Sequence, residues 1–277
     1  MEKIPLPSTI SVEKGGKPNE AVISIQPCHP GYGTTLGNAL RRVMLSSLPG
    51  AAVTAFKIKG ASHEYSSIPH VAEDLVEISL NLKQLRLKVF SSEPVRIELK
   101  AKGEKKVTGK DIKTTSDVEV VNPNMVIATL TDKDAELEME LIVNQGRGYV
   151  PTETREKEAI EPDMIAIDAI YTPVRNVGFR IENVRVGQMT NYENLLLDIE
   201  TDGSVTPLEA LTQANSLLME HFTFIEQNAE GATSGTPLAV EAEPEAESVD
   251  IASEPVEEKK PKKTRAKKAD KDKEAEA

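Results

Sequence analysis

The stretch from Gly31 to Gly50, GYGTTLGNALRRVMLSSLPG, leaves the chain around it few options. The turn His29-Pro30-Gly31-Tyr32-Gly33 breaks any preceding strand, Thr34 or Thr35 offers a capping oxygen, and Pro49-Gly50 stops the helix that follows. Inside that helix Leu36, Ala39, Leu40, Val43, Met44 and Ser47 recur at helical spacing and make one core-facing stripe. Asn38 and Leu45 point the other way, flanked by Arg41 and Arg42. An outward leucine between two guanidinium groups suits a protein partner, while two solvated arginines on a surface helix fit the same pattern.

The flanking segments read as strands and two more helices. Glu20–Gln26 and Ala51–Lys59 alternate with period two. From Val71 to Leu82, Val71, Leu75, Ile78 and Leu82 keep helical spacing, with Glu73, Asp74 and Glu77 on the wet face. Alternating or apolar runs then follow at 85–89, 95–99, 118–121, 125–130 and 137–143, which gives a mainly β middle section. The return leg carries strands at 175–186 and 195–199. Thr206-Pro207-Leu208-Glu209 then announces a helix with its cap, first-turn proline and capping box. Its stripe of Leu211, Ala214, Leu218, His221, Phe222 and Ile225 fits either the protein's own sheet or a seam with a second copy. Residues 229–277 contain no aromatic residue, and their charge is segregated, acidic from Glu230 to Glu258 and basic from Lys259 to Lys268. Such a segment reads as a disordered tail.

Composition removes several function classes. A net charge of −12 argues against an overall basic nucleic-acid binder. The single cysteine, Cys28, fits a reducing cytosol, and four scattered histidines do not make a zinc cage. No apolar run is long enough to span a membrane, and residues 1–16 lack the apolar core of a signal peptide. Gly31-x-Gly33-x-x-x-Gly37 before a helix invites a phosphate site. The spacing misses the dinucleotide fingerprint, however, and no Gly-Lys-Ser/Thr follows. The carboxylates of Glu73, Asp74 and Glu77 have no nearby histidine, and Arg147 sits between glycines that a tight connection explains. No nucleophile, base and orienting group converge, so no catalytic residues and no metal ligands are expected.

The segment 31–50 closely resembles the signature helix of the bacterial RNA polymerase alpha-subunit family. HEYS at 63–66, VAEDLVEISLNL at 71–82, GRGYVP at 146–151 and DAIYTPV at 168–174 recur in that family's order, and the likeness covers roughly residues 1–228. The resemblance implies an α+β fold, with a discontinuous dimerisation domain from residues 1–50 and 175–228 and an inserted mainly β domain from 51–174. It implies a cytoplasmic homodimer that scaffolds the beta and beta-prime subunits of a nucleotidyltransferase, with no cofactor of its own and the magnesium held by the large subunits. By match of motif, Arg42 with Leu45 and Arg41 would contact beta, and Lys83 with Ile167 would contact beta-prime. Leu36, Leu40, Leu211, Leu218, Phe222 and Ile225 would serve dimerisation. The family's usual second, DNA-binding domain is not matched by residues 229–277. DNA would therefore be reached through the complex, or weakly through Lys259–Lys268. A dimeric adaptor that uses the same scaffold for another assembly is the alternative.

Overall fold

The computed structural model describes residues 4–61, 63–155 and 163–229, all within one compact unit, Met1–Glu230. In chain order the elements are β1 (Thr9–Lys14), β2 (Glu20–Cys28), α1 (Tyr32–Ser46), β3 (Pro49–Ile58), α2 (Leu75–Gln84), β4 (Leu87–Val89), β5 (Val95–Lys102) and β6 (Lys105–Thr108). There follow β7 (Ile112–Lys113), β8 (Val118–Val120), β9 (Val126–Leu130), β10 (Glu136–Arg147), β11 (Tyr149–Val150), β12 (Ile165–Ala166) and β13 (Ala169–Ile170). The chain returns through β14 (Val174–Val186) and β15 (Met189–Thr201) into α3 (Pro207–Ala229). The fold is α+β, and among the described residues all the strand pairings are antiparallel. The tail expectation concerns residues 229–277, of which 230–277 lie outside the described residues.

Among the described residues two main apolar cores form, beside a small cluster of Ala52, Ala169 and Tyr171. The smaller lies between a four-stranded sheet, ordered β1-β2-β15-β14, and the helices α1 and α3. It buries Ile23, Ile25, Leu40, Met44, Leu48, Val177, Leu195, Leu197 and Leu211. The alternation Ala21-Ile23-Ile25 supplies the β2 contribution, since alternate residues of a strand share a face. The larger core is made by the sheet β7-β5-β10-β3-β4-β8 with α2, and buries Phe56, Leu75, Ile78, Leu82, Ile97, Leu99 and Leu141. Arg86, just after α2, faces Asp202 before α3 at 3.7 Å. Burial pushes the Arg86 guanidinium below its ordinary range.

Glycines set how closely α1 lies on its sheet. A Cβ on Gly37 would fall 2.8 Å from the Phe179 ring and 2.9 Å from Leu195 Cδ1. Alanine is the better helix former by about 1 kcal/mol, but overpacking typically costs about 1–3 kcal/mol. Gly37→Ala is therefore expected to destabilise the protein by about 1 kcal/mol, lowering Tm by a few degrees in a thermal melt. A raised Tm would show that the helix can lift without loss.

Three expectations are corrected. Neither Thr34 nor Thr35 caps α1. The cap is Gly31, at φ 86°, and the helix N-terminus is closed by a carboxylate from the distant β15. The middle helix starts at Leu75 rather than Val71, because the Asp74 side chain accepts from the Glu77 N–H at 2.7 Å and so caps it. Glu73 thereby leaves the wet face. Its two oxygens accept from the N–H and hydroxyl of Thr129, at 2.6 and 2.8 Å. Leu45 does not point away from the core but is half-buried and packs against the smaller one. The strand β1 was not anticipated at all.

Candidate partner-binding surfaces

The first surface is the outer face of α1. Gly31 N–H and Gly33 N–H donate to the two carboxylate oxygens of Glu193, at 2.8 and 2.9 Å. A negative group at a helix N-terminus satisfies free N–H groups and the helix dipole together. Here it also occupies the place where a phosphate would have to sit, so the glycine pattern is spent on packing. A Cβ on Gly33 would lie 2.7 Å from Glu193 Oε2. The helix so fixed buries Leu40 and Met44 and leaves Asn38, Arg41 and Arg42 exposed. The two arginines are not equivalent. Arg41 Nε donates to the Val177 carbonyl at 3.0 Å, tying α1 to β14. Arg42 has no side-chain partner among the described residues. Leu45 stands one turn further on, half-buried, with part of its side chain still reachable.

The second surface joins α2 to the chain around β11–β13. Lys83 Nζ donates to Asp168 Oδ2 at 2.9 Å, and Thr152 N–H donates to Asp168 Oδ1 at 3.0 Å. The Thr152 N–H, then Lys83, hold the Asp168 carboxyl down to about 2, with the Tyr149 hydroxyl adding to the effect. Beside this pair is a cleft of about 210 Å³ lined by Tyr65, Val76, Ser79, Lys83, Ile165 and Ile167, among others. Val76, Leu80, Tyr65 and Tyr149 stand exposed in these same segments. Ile167 is 4% exposed and belongs to the larger core, which leaves it little surface to offer. Its N–H donates to the Thr54 carbonyl at 3.0 Å, and its own carbonyl accepts from buried Arg155.

A depressed folded-state pKa stabilises the protein above the ordinary carboxylate range, and the gain disappears as pH falls from about 4 through about 2. With the screening of a partly exposed pair allowed for, this amounts to about 1–2 kcal/mol. Asp168→Asn should remove that acid-sensitive component. Urea unfolding at about pH 5 and about pH 2.5 should show wild type losing more stability than Asp168→Asn. Equal losses would contradict the assigned clasp.

The third surface is the distal half of α3. Thr206 Oγ accepts from the Glu209 N–H at 3.3 Å, and Glu209 Oε2 accepts from the Thr206 N–H at 2.9 Å, which is the capping box read from the sequence. The apolar stripe is buried at Ala210, Leu211 and Ala214 and half-buried at Leu217 and Leu218. It then runs on uncovered, with Phe222 58% and Ile225 60% exposed. Leu36, Leu40 and Leu211 thus go largely into the protomer's own core, and Leu218, Phe222 and Ile225 carry what surface the stripe still offers.

The model of the RNA polymerase Rpb3/RpoA insert domain matches residues 56–172. A DNA-directed RNA polymerase subunit alpha of Alkaliphilus oremlandii is 47% identical over 221 residues, covering 80% of this chain and 68% of the relative. One from Roseiflexus sp. is 44% identical over 246 residues, covering 87% and 73%. One from Oceanobacillus iheyensis is 46% identical over 221 residues, covering 80% and 70%. The chain belongs to the DNA-directed RNA polymerase alpha-subunit family. Among its described residues no helix is long and apolar enough to cross a membrane.

Two of the residues that order these surfaces carry no local sequence signal. Glu193 acts on α1 from about 160 positions away, with no local motif to announce it. Asp168 lies inside a recognised motif, but its three donors come from Lys83, Thr152 and Tyr149, and only the fold brings these together. Asp74 was expected on the wet face of a helix begun at Val71, although Asp followed three residues later by Glu is a helix-start signal.

Proposed function

We propose that the chain forms a homodimer and that the dimer scaffolds the beta and beta-prime subunits of DNA-directed RNA polymerase, in the cytoplasm. Catalysis, magnesium and nucleotide substrates would stay with the large subunits, and the chain itself would carry no cofactor. The observation that carries the reading is Arg42. It is an exposed guanidinium without a partner among the described residues, on a helix whose other face is locked into the sheet. A rigid element presenting an unspent, forked hydrogen-bond donor is what a protein interface uses as an anchor. Arg41 supports it from the adjacent position, where it holds α1 to β14, and Leu45 offers the apolar margin.

Lys83 enters the proposal with a changed role. Its ammonium is already paired with Asp168, so it would organise the beta-prime surface, and contact area would come from Val76, Leu80, Tyr65 and Tyr149. The apolar stripe of α3 supports dimerisation, because a stripe that is core at Leu211 and open at Phe222 needs cover of the same kind. Capture of purified beta subunit by the tagged chain, without beta-prime, tests the reading directly. Specific recovery of beta is expected, and none at micromolar concentrations would reject it.

A further inference from the structure

The segment that carries Asp168 is gripped at two points by one short helical turn, Thr152–Arg155. β12 runs beside β3, with Ile165 opposite Phe56 and Ala166 opposite Ala55, and the Ile167 N–H continues that ladder to the Thr54 carbonyl at 3.0 Å. Beyond Ile167 the chain leaves that sheet, and its carbonyl finds its donor in Arg155. This side chain is only 5% exposed. Its Nη2 donates to the Ile167 carbonyl, and its Nη1 to the Thr54 carbonyl at 3.4 Å. At the other end of the same turn the Thr152 N–H donates to Asp168 Oδ1 at 3.0 Å. Among the described residues Arg155 has no carboxylate partner, and its Nε–H is buried without an acceptor. Burying an ion on such terms is costly, and an apolar side chain would fill the space more cheaply. What an apolar side chain lacks is the planar fork that spans two carbonyls.

We propose that Arg155 is the positioning residue of the surface offered to beta-prime: it fixes Ile167, and so sets where the Asp168 carboxylate meets Lys83. The inference rests on the beta-prime reading of that surface and adds the residue that holds it in shape. Asp168 follows Ile167 directly, so a shift of the Ile167 carbonyl carries the carboxylate with it. That carboxylate is faced by Lys83 from α2, by the Thr152 N–H and by the Tyr149 hydroxyl from β11. Hydrogen bonds weaken steeply as they lengthen and bend, so a displacement small on the scale of the fold is enough to release Lys83. A released ammonium on its flexible four-carbon stem no longer presents one fixed surface. Arg155 is sealed inside the protein and offers no surface of its own. Its effect on binding must therefore travel through Ile167 and Asp168.

The test compares Arg155→Met, which keeps the length and loses the donors, with Arg155→Lys, whose single ammonium does not span both carbonyls. The Asp168 carboxyl is titrated by carbon NMR in the full chain. Wild type is expected to titrate at about 2, Arg155→Met near the ordinary value of about 4, and Arg155→Lys between them. An arginine with a merely structural role would lower Tm when replaced and leave this value in place. Asp168 still titrating at about 2 in the folded variants overturns the proposal. Where Arg155→Met does not fold, Arg155→Lys alone carries the comparison. Binding is read as capture of beta-prime in the presence of beta. Arg155→Met and Asp168→Asn should each weaken it roughly tenfold, the weight of one charged hydrogen bond. The two together should weaken it no further than either alone, since both act through one carboxylate. Losses that add would overturn the proposal. A wild-type chain that captures no beta-prime defeats the beta-prime reading instead, and the Asp168 titration still decides whether Arg155 places that carboxylate.

Discussion

Arg42→Ala is expected to leave the protein folded and dimeric while weakening capture of the beta subunit by about 2–5 kcal/mol, the usual cost of truncating one side of a desolvated, charged hydrogen-bond set. The fold should not notice the change. The Arg42 side chain has no partner among the described residues, and surface substitutions of that kind usually fall within about 0.5 kcal/mol. Arg41→Ala is the informative control. It removes a hydrogen bond from Arg41 Nε to the Val177 carbonyl, worth about 1–2 kcal/mol of stability, and should reduce beta capture less. Arg42→Lys should restore part of the binding, because an ammonium keeps the charge but lacks the planar fork. Pull-down of beta by these three variants and wild type, with dimerisation followed in parallel, provides the comparison. Equal recovery by all four would remove Arg42 from the interface.

Charge on the distal stripe of α3 is expected to dissociate the dimer. Phe222→Asp and Ile225→Asp together remove two apolar side chains that are 58% and 60% exposed in the protomer, so little of the protomer's own stability is at risk. Burying each in an interface contributes about 1.5–3 kcal/mol. Twofold symmetry repeats the loss, and two buried carboxylates add a desolvation cost. Sedimentation equilibrium should show monomers with unchanged helix content, whereas a dimer of wild-type affinity would place the interface elsewhere. Leu218 is a poorer probe. It is half-buried against the protein's own core, and charge there would confuse folding with association.

The parts of this fold that were legible in the sequence are those in which one local pattern decides the outcome. The stripe of Leu40 and Met44, the Thr206–Glu209 capping box and the alternation of β2 and β10 all announce themselves within a few residues. What stayed hidden depends on distant pairing. β1 is a six-residue edge strand exposed throughout, so no burial pattern distinguished it from a loop. The α1 cap belongs to Glu193, which no window around Gly31 contains. The start of α2 shows a conflict between two local signals. Val71 continues the apolar spacing, but Asp74 satisfies the free N–H of Glu77 and sets the boundary, leaving Val71 to bridge to Leu130. The candidate surfaces followed the same division. Arg42 was visible as an outward residue on a well-defined helix, whereas the capture of Lys83 by Asp168 became apparent only when the β11–β13 segments were folded against α2.

The central claim, that this chain is a dimeric scaffold for the large polymerase subunits, is tested most directly by light scattering on a chromatographed mixture of the chain with purified beta and beta-prime. The account predicts one complex whose mass corresponds to two copies of this chain with one beta and one beta-prime, and its loss when Arg42→Ala replaces wild type. A wild-type chain that elutes apart from both large subunits would contradict it.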